Sequence, residues 1–218
     1  MRSGWTEATK ERRANCDEAG QGGTACGAPL EGGRAKPAAR LEIRPATRQD
    51  AGPLSQLRSS VLAEGAWFLA DPDEVVLSVE AVGEELAALD RQPNSRVLLA
   101  WRGRTLVGAC WLRGGRLRRV AHEASLELMV LAEERGRGVG RRLLSRAIGW
   151  AEGQPGLGRL VLAVMADNER AVALYRAQGF VEEGRRRGSV READGRERDD
   201  LLMARTLRPA EDSLSRGG

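Results

Sequence analysis

Leu126 to Ala151, LELMVLAEERGRGVGRRLLSRAIGWA, is the stretch that decides the fold. Apolar residues crowd Leu126 to Leu131, which reads as a buried strand. A tight basic turn, Arg135 to Gly140, follows. An amphipathic helix comes next, with Gly140, Leu143, Leu144, Ala147, Ile148 and Ala151 at helical spacing. Gly136, Gly138 and Gly140 stand at alternate positions where that helix must begin. Glycine lets backbone approach a ligand closely and takes up conformations closed to other residues. A helix start also presents unpaired N–H groups at the positive end of its dipole. Together these suit a phosphate or pyrophosphate, with Arg135, Arg137, Arg141 and Arg142 as cations around it. No Gly-Lys-Ser/Thr follows, so the turn is not a P-loop. The third glycine of the dinucleotide fingerprint would fall at Arg141, which excludes that motif too. Taken alone, the turn reads equally well as a basic surface bend.

A second stretch tips the balance. Asn168 to Phe180 reads NERAVALYRAQGF. Arg135-x-x-Gly138-x-Gly140, then a helix and a strand, then Asn168-x-x-Ala171-x-x-Leu174-Tyr175-x-x-x-Gly179-Phe180, resembles the GNAT superfamily of acyl-CoA-dependent N-acetyltransferases. The resemblance covers about Leu41 to Leu207. It implies acetyl-CoA as co-substrate, with the diphosphate at Arg135, Gly136, Arg137, Gly138, Val139, Gly140 and Arg141. It also implies fourth and fifth strands that splay apart, with the pantetheine arm between them. That arm would pair with fourth-strand backbone at about Leu128 to Leu131, which brings in Met129, Val130 and Leu131 through main chain. Their side chains need only pack.

Amide-forming acetyl transfer needs a deprotonated amine, a donor to the carbonyl oxygen, and a proton for the departing thiolate. Tyr175 suits the third need, because a phenol is a neutral donor at pH 7, and it stands where the family carries its thiol-side acid. Packing at a helix–sheet interface is the alternative role. Asn168 is expected to contact the arm, to cap its helix, or both. Three residues are candidates for the base: His122, Glu123 and Glu127. Alternation puts Glu123 and Glu127 on one strand face, with His122, Leu126, Leu128 and Val130 on the other. A carboxylate in an apolar strand suits a base acting through water, and His122 has a suitable intrinsic pKa. Solvent-facing polar residues, with no dedicated base, are the plain alternative. The family borders its acceptor site with the helix–loop–helix near Trp67 and Phe68, two aromatics for which core packing is the favoured alternative, and with the charged run from Glu182 to Arg198. By that resemblance Arg185 to Arg187 are candidates to hold an acceptor carboxylate, and a wet hairpin is the alternative.

Composition bounds these readings. The 218 residues make one domain with a tail and are 41% hydrophobic. No apolar run is long enough for a membrane span, and the start lacks an apolar signal core. The three cysteines, Cys16, Cys26 and Cys110, have no zinc spacing, and His122 is the only histidine, so no metal is expected. Cys110 reads as a buried filler, and the thiols fit a reducing cytoplasm. Net charge is +4, and nearly all the basic residues are arginine, with only Lys10 and Lys36 as lysines. Interleaved acids argue against a nucleic-acid partner.

Residues 1–40 are poor in apolar residues and read as a disordered tail, and 208–218 read as a flexible, fraying one. Between them, 41–207 form the domain. Leu41 to Arg44 alternate as a strand, and Thr47-Arg48-Gln49-Asp50 forms a capping box. A helix follows with Leu54, Leu57, Val61 and Leu62 inward, then a second from Ser78 to Asp90 with Val79, Val82, Leu86 and Leu89 inward. Val97 to Trp101 and Thr105 to Leu112 make a hairpin, and Ala121 to Val130 is the fourth strand. Leu160 to Val164 reads as fully buried, and Phe180 to Glu183 with Arg198 to Arg205 close the sheet. The fold class is mixed α/β (α+β). The resemblance makes it a mostly antiparallel sheet of six to seven strands, splayed between the fourth and fifth, with about four helices. The function expected is acetyl transfer from acetyl-CoA to a primary amine, with a homodimer allowed. The rivals are a non-catalytic acyl-CoA sensor and an arginine-rich nucleic-acid binder.

Overall fold

The computed structural model describes residues 39–70, 74–75 and 78–207. Cys16, Cys26 and all but the edge of the expected tails lie outside that range. Seven strands form one sheet in the order β1-β2-β3-β4-β5-β7-β6. They are β1 (Leu41–Pro45), β2 (Arg96–Arg102), β3 (Thr105–Gly114), β4 (Glu123–Val130), β5 (Arg159–Met165), β6 (Val181–Arg191) and β7 (Glu197–Thr206). Every neighbouring pair is antiparallel except β4 and β5, which a helical crossover makes parallel. The helices are α1 (Ala51–Leu62), α2 (Val79–Asp90), α3 (Val139–Glu152) and α4 (Glu169–Ala177).

Two apolar cores lie on the two faces of the sheet. Leu143, Leu144, Ala147, Ile148 and Ala151 of α3 join Val172 and Tyr175 of α4 in one. Leu54, Leu57 and Val61 of α1 join Val82, Leu86 and Leu89 of α2 in the other, around Trp111. Burying each large aliphatic side chain is worth about 1.5–3 kcal/mol. The capping box forms as its spacing predicts, with Asp50 accepting from the Thr47 amide at 2.8 Å and its hydroxyl at 2.9 Å. Ser78 caps α2 by accepting from the Ala81 amide at 3.1 Å.

Three sequence expectations shift. Val79 is half exposed, because it sits in the first turn of α2, beyond the reach of the core. β4 begins at Glu123, so His122 lies in the preceding turn. β6 runs to Arg191, well past its expected end at Glu183, while β7 exceeds its expected bounds by one residue at each end. Cross-strand pairs Arg185–Asp199, Arg186–Asp200 and Arg191–Glu197 let the charged β6 extend as the sheet's exposed edge strand.

Candidate active site

The glycine turn is built as an open helix start. Gly136 and Gly138 both have φ near 80°, and Gly138 is the left-handed N-cap of α3. Among the described residues, a Cβ at Gly138 would meet nothing within 4 Å, and no side chain caps α3. The first intrahelical bond runs from the Arg142 amide to the Gly138 carbonyl at 3.1 Å, so the amides from Gly138 to Arg141 are the helix's orphan donors. A Cβ at Gly140 would lie 3.4 Å from Leu174, 3.6 Å from Leu128 and 3.7 Å from Val130. That closeness sets the turn against both α4 and β4. The turn borders a cavity of about 830 Å³ that also includes Arg137, Arg141 and Arg170.

The cations around the turn divide by partner. Arg135 is committed: its Nε donates to the Val130 carbonyl at 3.0 Å, and its two Nη donate to Glu64 at 2.5 and 2.8 Å. It shapes the turn and ties it to the end of α1. Arg137 is mostly exposed, 3.8 Å from Glu134. Arg142 donates to the Leu41 carbonyl and turns away from the cavity. Arg170 on α4, which no motif singled out, has an Nη2 3.5 Å from where a Gly136 Cβ would stand.

From the turn the cavity runs into a break in the sheet. β4 pairs with β5 only through Glu123↔Arg159, Ala124↔Leu160 and Ser125↔Val161. Beyond Ser125 the strands part. Leu131 donates its amide to Val107 at 3.1 Å, so by alternation the amides of Leu128 and Val130 face the opened side. The expectation of a fully buried β5 fails here. Ala163 is exposed and lines a second cavity of about 340 Å³, because β4 has already diverged from it.

The two cavities meet at Tyr175. Its ring, with Leu128, Asn168, Ala171, Trp67 and Phe68, borders both. Tyr175 is buried and packs edge-on against Phe180, with centroids 5.8 Å apart. Burial pushes its phenol well above the ordinary tyrosine value, and the Glu127 carboxylate acts in the same direction. The hydroxyl is therefore a neutral donor throughout the physiological range. Asn168 caps α4 by accepting from the Ala171 amide at 3.1 Å, which fixes the helix that carries Tyr175.

The three candidate bases separate. Glu127 lines the smaller cavity with Tyr175. Arg113 donates to it at 2.7 Å and to Glu85 at 2.9 Å, and Arg58 donates to Glu85 at 2.7 Å. Both guanidiniums lie over the Trp111 ring. Glu123 pairs instead with Arg159 at 3.2 Å. The His122 carbonyl accepts from the amides of Gly158 and Arg159 at the closed end of β4 and β5. Neither Glu123 nor His122 lines either cavity. Asp200, which sequence reasoning missed, is buried on the wall of the smaller cavity and accepts from Arg186 at 2.6 Å. Arg185 and Arg186 are thus paired with Asp199 and Asp200.

Comparison with known proteins bears on the family and the fold. The sequence profile of the acetyltransferase (GNAT) family matches residues 63–180. The N-alpha-acetyltransferase RimI of Mycobacterium tuberculosis is 38% identical over 108 residues, which is 49% of this chain and 63% of that protein. The chain spans less than two thirds of the length of the curated relatives it matches. A GNAT-family acetyltransferase from Streptococcus pneumoniae superposes with a TM-score of 0.74 at 29% identity, covering 78% of this chain and all of that one. A phosphinothricin acetyltransferase from Sinorhizobium meliloti, solved in complex with acetyl-CoA, shares the fold with a TM-score of 0.65 at 19% identity, over 80% of this chain and 96% of that one.

Proposed function

The chain belongs to the GNAT family of acetyltransferases, and on that footing we propose that it transfers an acetyl group from acetyl-CoA to a primary amine. One observation carries the reading: a cavity that starts at uncapped helix amides and a second cavity beside two carboxylates join at a single buried phenol. The residues present fit the cofactor. The open Cβ position at Gly138 leaves room for a diphosphate over the amides. Arg137, Arg141 and Arg170 add charge, and the parted strands leave β4 amides for an extended arm. When bound, acetyl-CoA supplies an activated acyl group with a thiolate leaving group.

The chain's own groups then have distinct tasks. The amides from Gly138 to Arg141 bind the diphosphate. The Leu128 and Val130 amides hold the arm and offer a donor to the reacting carbonyl oxygen. Tyr175 gives its proton to the departing sulfur. Glu127 takes a proton from the acceptor amine, directly or through water, while Arg113 fixes its orientation. Trp67 and Phe68 exclude water from the junction. Among the three candidate bases, the cavity lining favours Glu127 over Glu123 and His122.

An acetyl-CoA consumption assay over amino acids, polyamines, aminoglycosides and peptides with free N-termini tests the reading. Turnover with at least one class is expected. Saturable acetyl-CoA binding without turnover on any of them would instead mark an acyl-CoA sensor.

A further inference from the structure

Arg198 on β7 is a buried cation that belongs to no motif. Its Nε and Nη2 make a two-point pair with Asp167 at 3.0 and 2.7 Å. Its Nη1 donates to the Ala66 carbonyl at 2.9 Å and to Glu192 at 2.7 Å. Its guanidinium carbon lies 5.0 Å from the centroid of the Trp67 ring. These partners come from three separate segments: the α1–α2 connection, the β5–α4 turn and the β6–β7 hairpin. Trp67 walls both cavities, and Asp167 immediately precedes Asn168, the cap of the helix that carries Tyr175.

Apolar burial alone does not fix Trp67, which is 39% exposed. The stack and the bond to the neighbouring carbonyl supply what burial lacks. Only an arginine can serve all four partners, because its planar fork makes a two-point pair while its face stacks. A lysine keeps the charge and loses the fork.

We infer that Arg198 is a positioning residue for the acceptor side of the site: it seats Trp67 against the start of α4 and so sets the wall the acceptor amine meets. The acceptor half of this rests on the acetyl-transfer reading. The structural half does not.

The test uses the full chain with Arg198→Lys, and Asp167→Asn as a milder variant that keeps the arginine. Hydrogen exchange of peptides covering Ala63–Ala70 should quicken about tenfold in each, as expected for a segment that has lost its anchor, with peptides over α3 unchanged. With alaninamide and spermidine as acceptor probes, the KM of whichever is turned over should rise about tenfold, while the acetyl-CoA Kd moves less than about twofold. Trp67→Ala should raise the same KM, and Arg198→Lys with Trp67→Ala should raise it no further, since coupled residues are non-additive. Additive effects, an equal loss of acetyl-CoA affinity, or unchanged exchange in both variants would overturn the inference. If the wild type turns over neither probe, nor any amine of the wider panel, the acetyl-transfer reading fails. Exchange and acetyl-CoA titration then still decide the role of Arg198.

Discussion

Replacing Gly138 by alanine adds one methyl group to a residue with φ of 80°. A Cβ in the left-handed region costs about 1–2 kcal/mol. Nothing within 4 Å would hold the new methyl in place, so the free turn can relax out of that conformation. A diphosphate on the amides would have to restore it, and the strain then falls on binding. At 1.4 kcal/mol per factor of ten, acetyl-CoA should bind about 5–30-fold more weakly by calorimetry. Gly156→Ala is the control. Its φ is 87°, it too has open space around a Cβ, and it lies in the α3–β5 connection, away from both cavities. It carries the same strain and should leave the acetyl-CoA Kd unchanged. If Gly138→Ala binds like wild type, or the two variants weaken binding equally, the amides at the start of α3 do not hold the diphosphate. Gly138→Glu with Gly140→Glu should abolish binding, because two carboxylates then oppose the diphosphate at close range.

Tyr175→Phe should lower kcat about 10²-fold or more with little change in acetyl-CoA Kd, since only the proton donor is lost; steady-state rates beside calorimetry check this. Because Tyr175 is the only tyrosine, ultraviolet absorbance titration reads one group, and burial should keep it protonated past the ordinary phenol range while the fold holds. The unfolded chain releases that proton near pH 10, so the phenol's contribution to stability is lost as pH rises beyond it. Thermal melts between pH 9 and 11 should fall more steeply for wild type than for Tyr175→Phe. Glu127→Gln should reduce kcat/KM by about tenfold or more, whereas Glu123→Gln should leave it near wild type in the same rate assay. Asp50 is held at about 2, chiefly by its hydrogen bond from Arg44. Its stabilisation is full above the unfolded carboxylate value and disappears as pH falls from about 4 towards 2. Asp50→Asn should therefore cost about 1–3 kcal/mol at pH 7, and that deficit should shrink in melts at pH 3.

Features set by neighbours in sequence were legible before the structure. The periodicity of α3, the glycine turn, the Thr47–Asp50 box and the Asn168 cap all depend on residues within four positions of one another. The parted strands were not readable from periodicity, because strand pairing is non-local, and they entered only through the family resemblance. Charges were legible as charges but not as partners. Arg135 looked like a phosphate ligand because Glu64, which takes its guanidinium, lies 71 positions away. Arg198 looked like one more residue in a wet hairpin, since its carbonyl partner on Ala66 is 132 positions distant. His122 and Glu123 seemed level with Glu127 as bases, because alternation gives a face but not a position along the strand. The strand start at Glu123 leaves both at the closed end of the gap.

A crystal structure with acetyl-CoA bound reads the central claim most directly. Diphosphate oxygens should lie about 2.7–3.2 Å from the amides of Gly138, Val139 and Gly140, with the thioester in the break between β4 and β5 and its sulfur beside the Tyr175 hydroxyl. A diphosphate held elsewhere, such as among the arginines between β1 and α3, or a sulfur out of reach of that phenol, would contradict it.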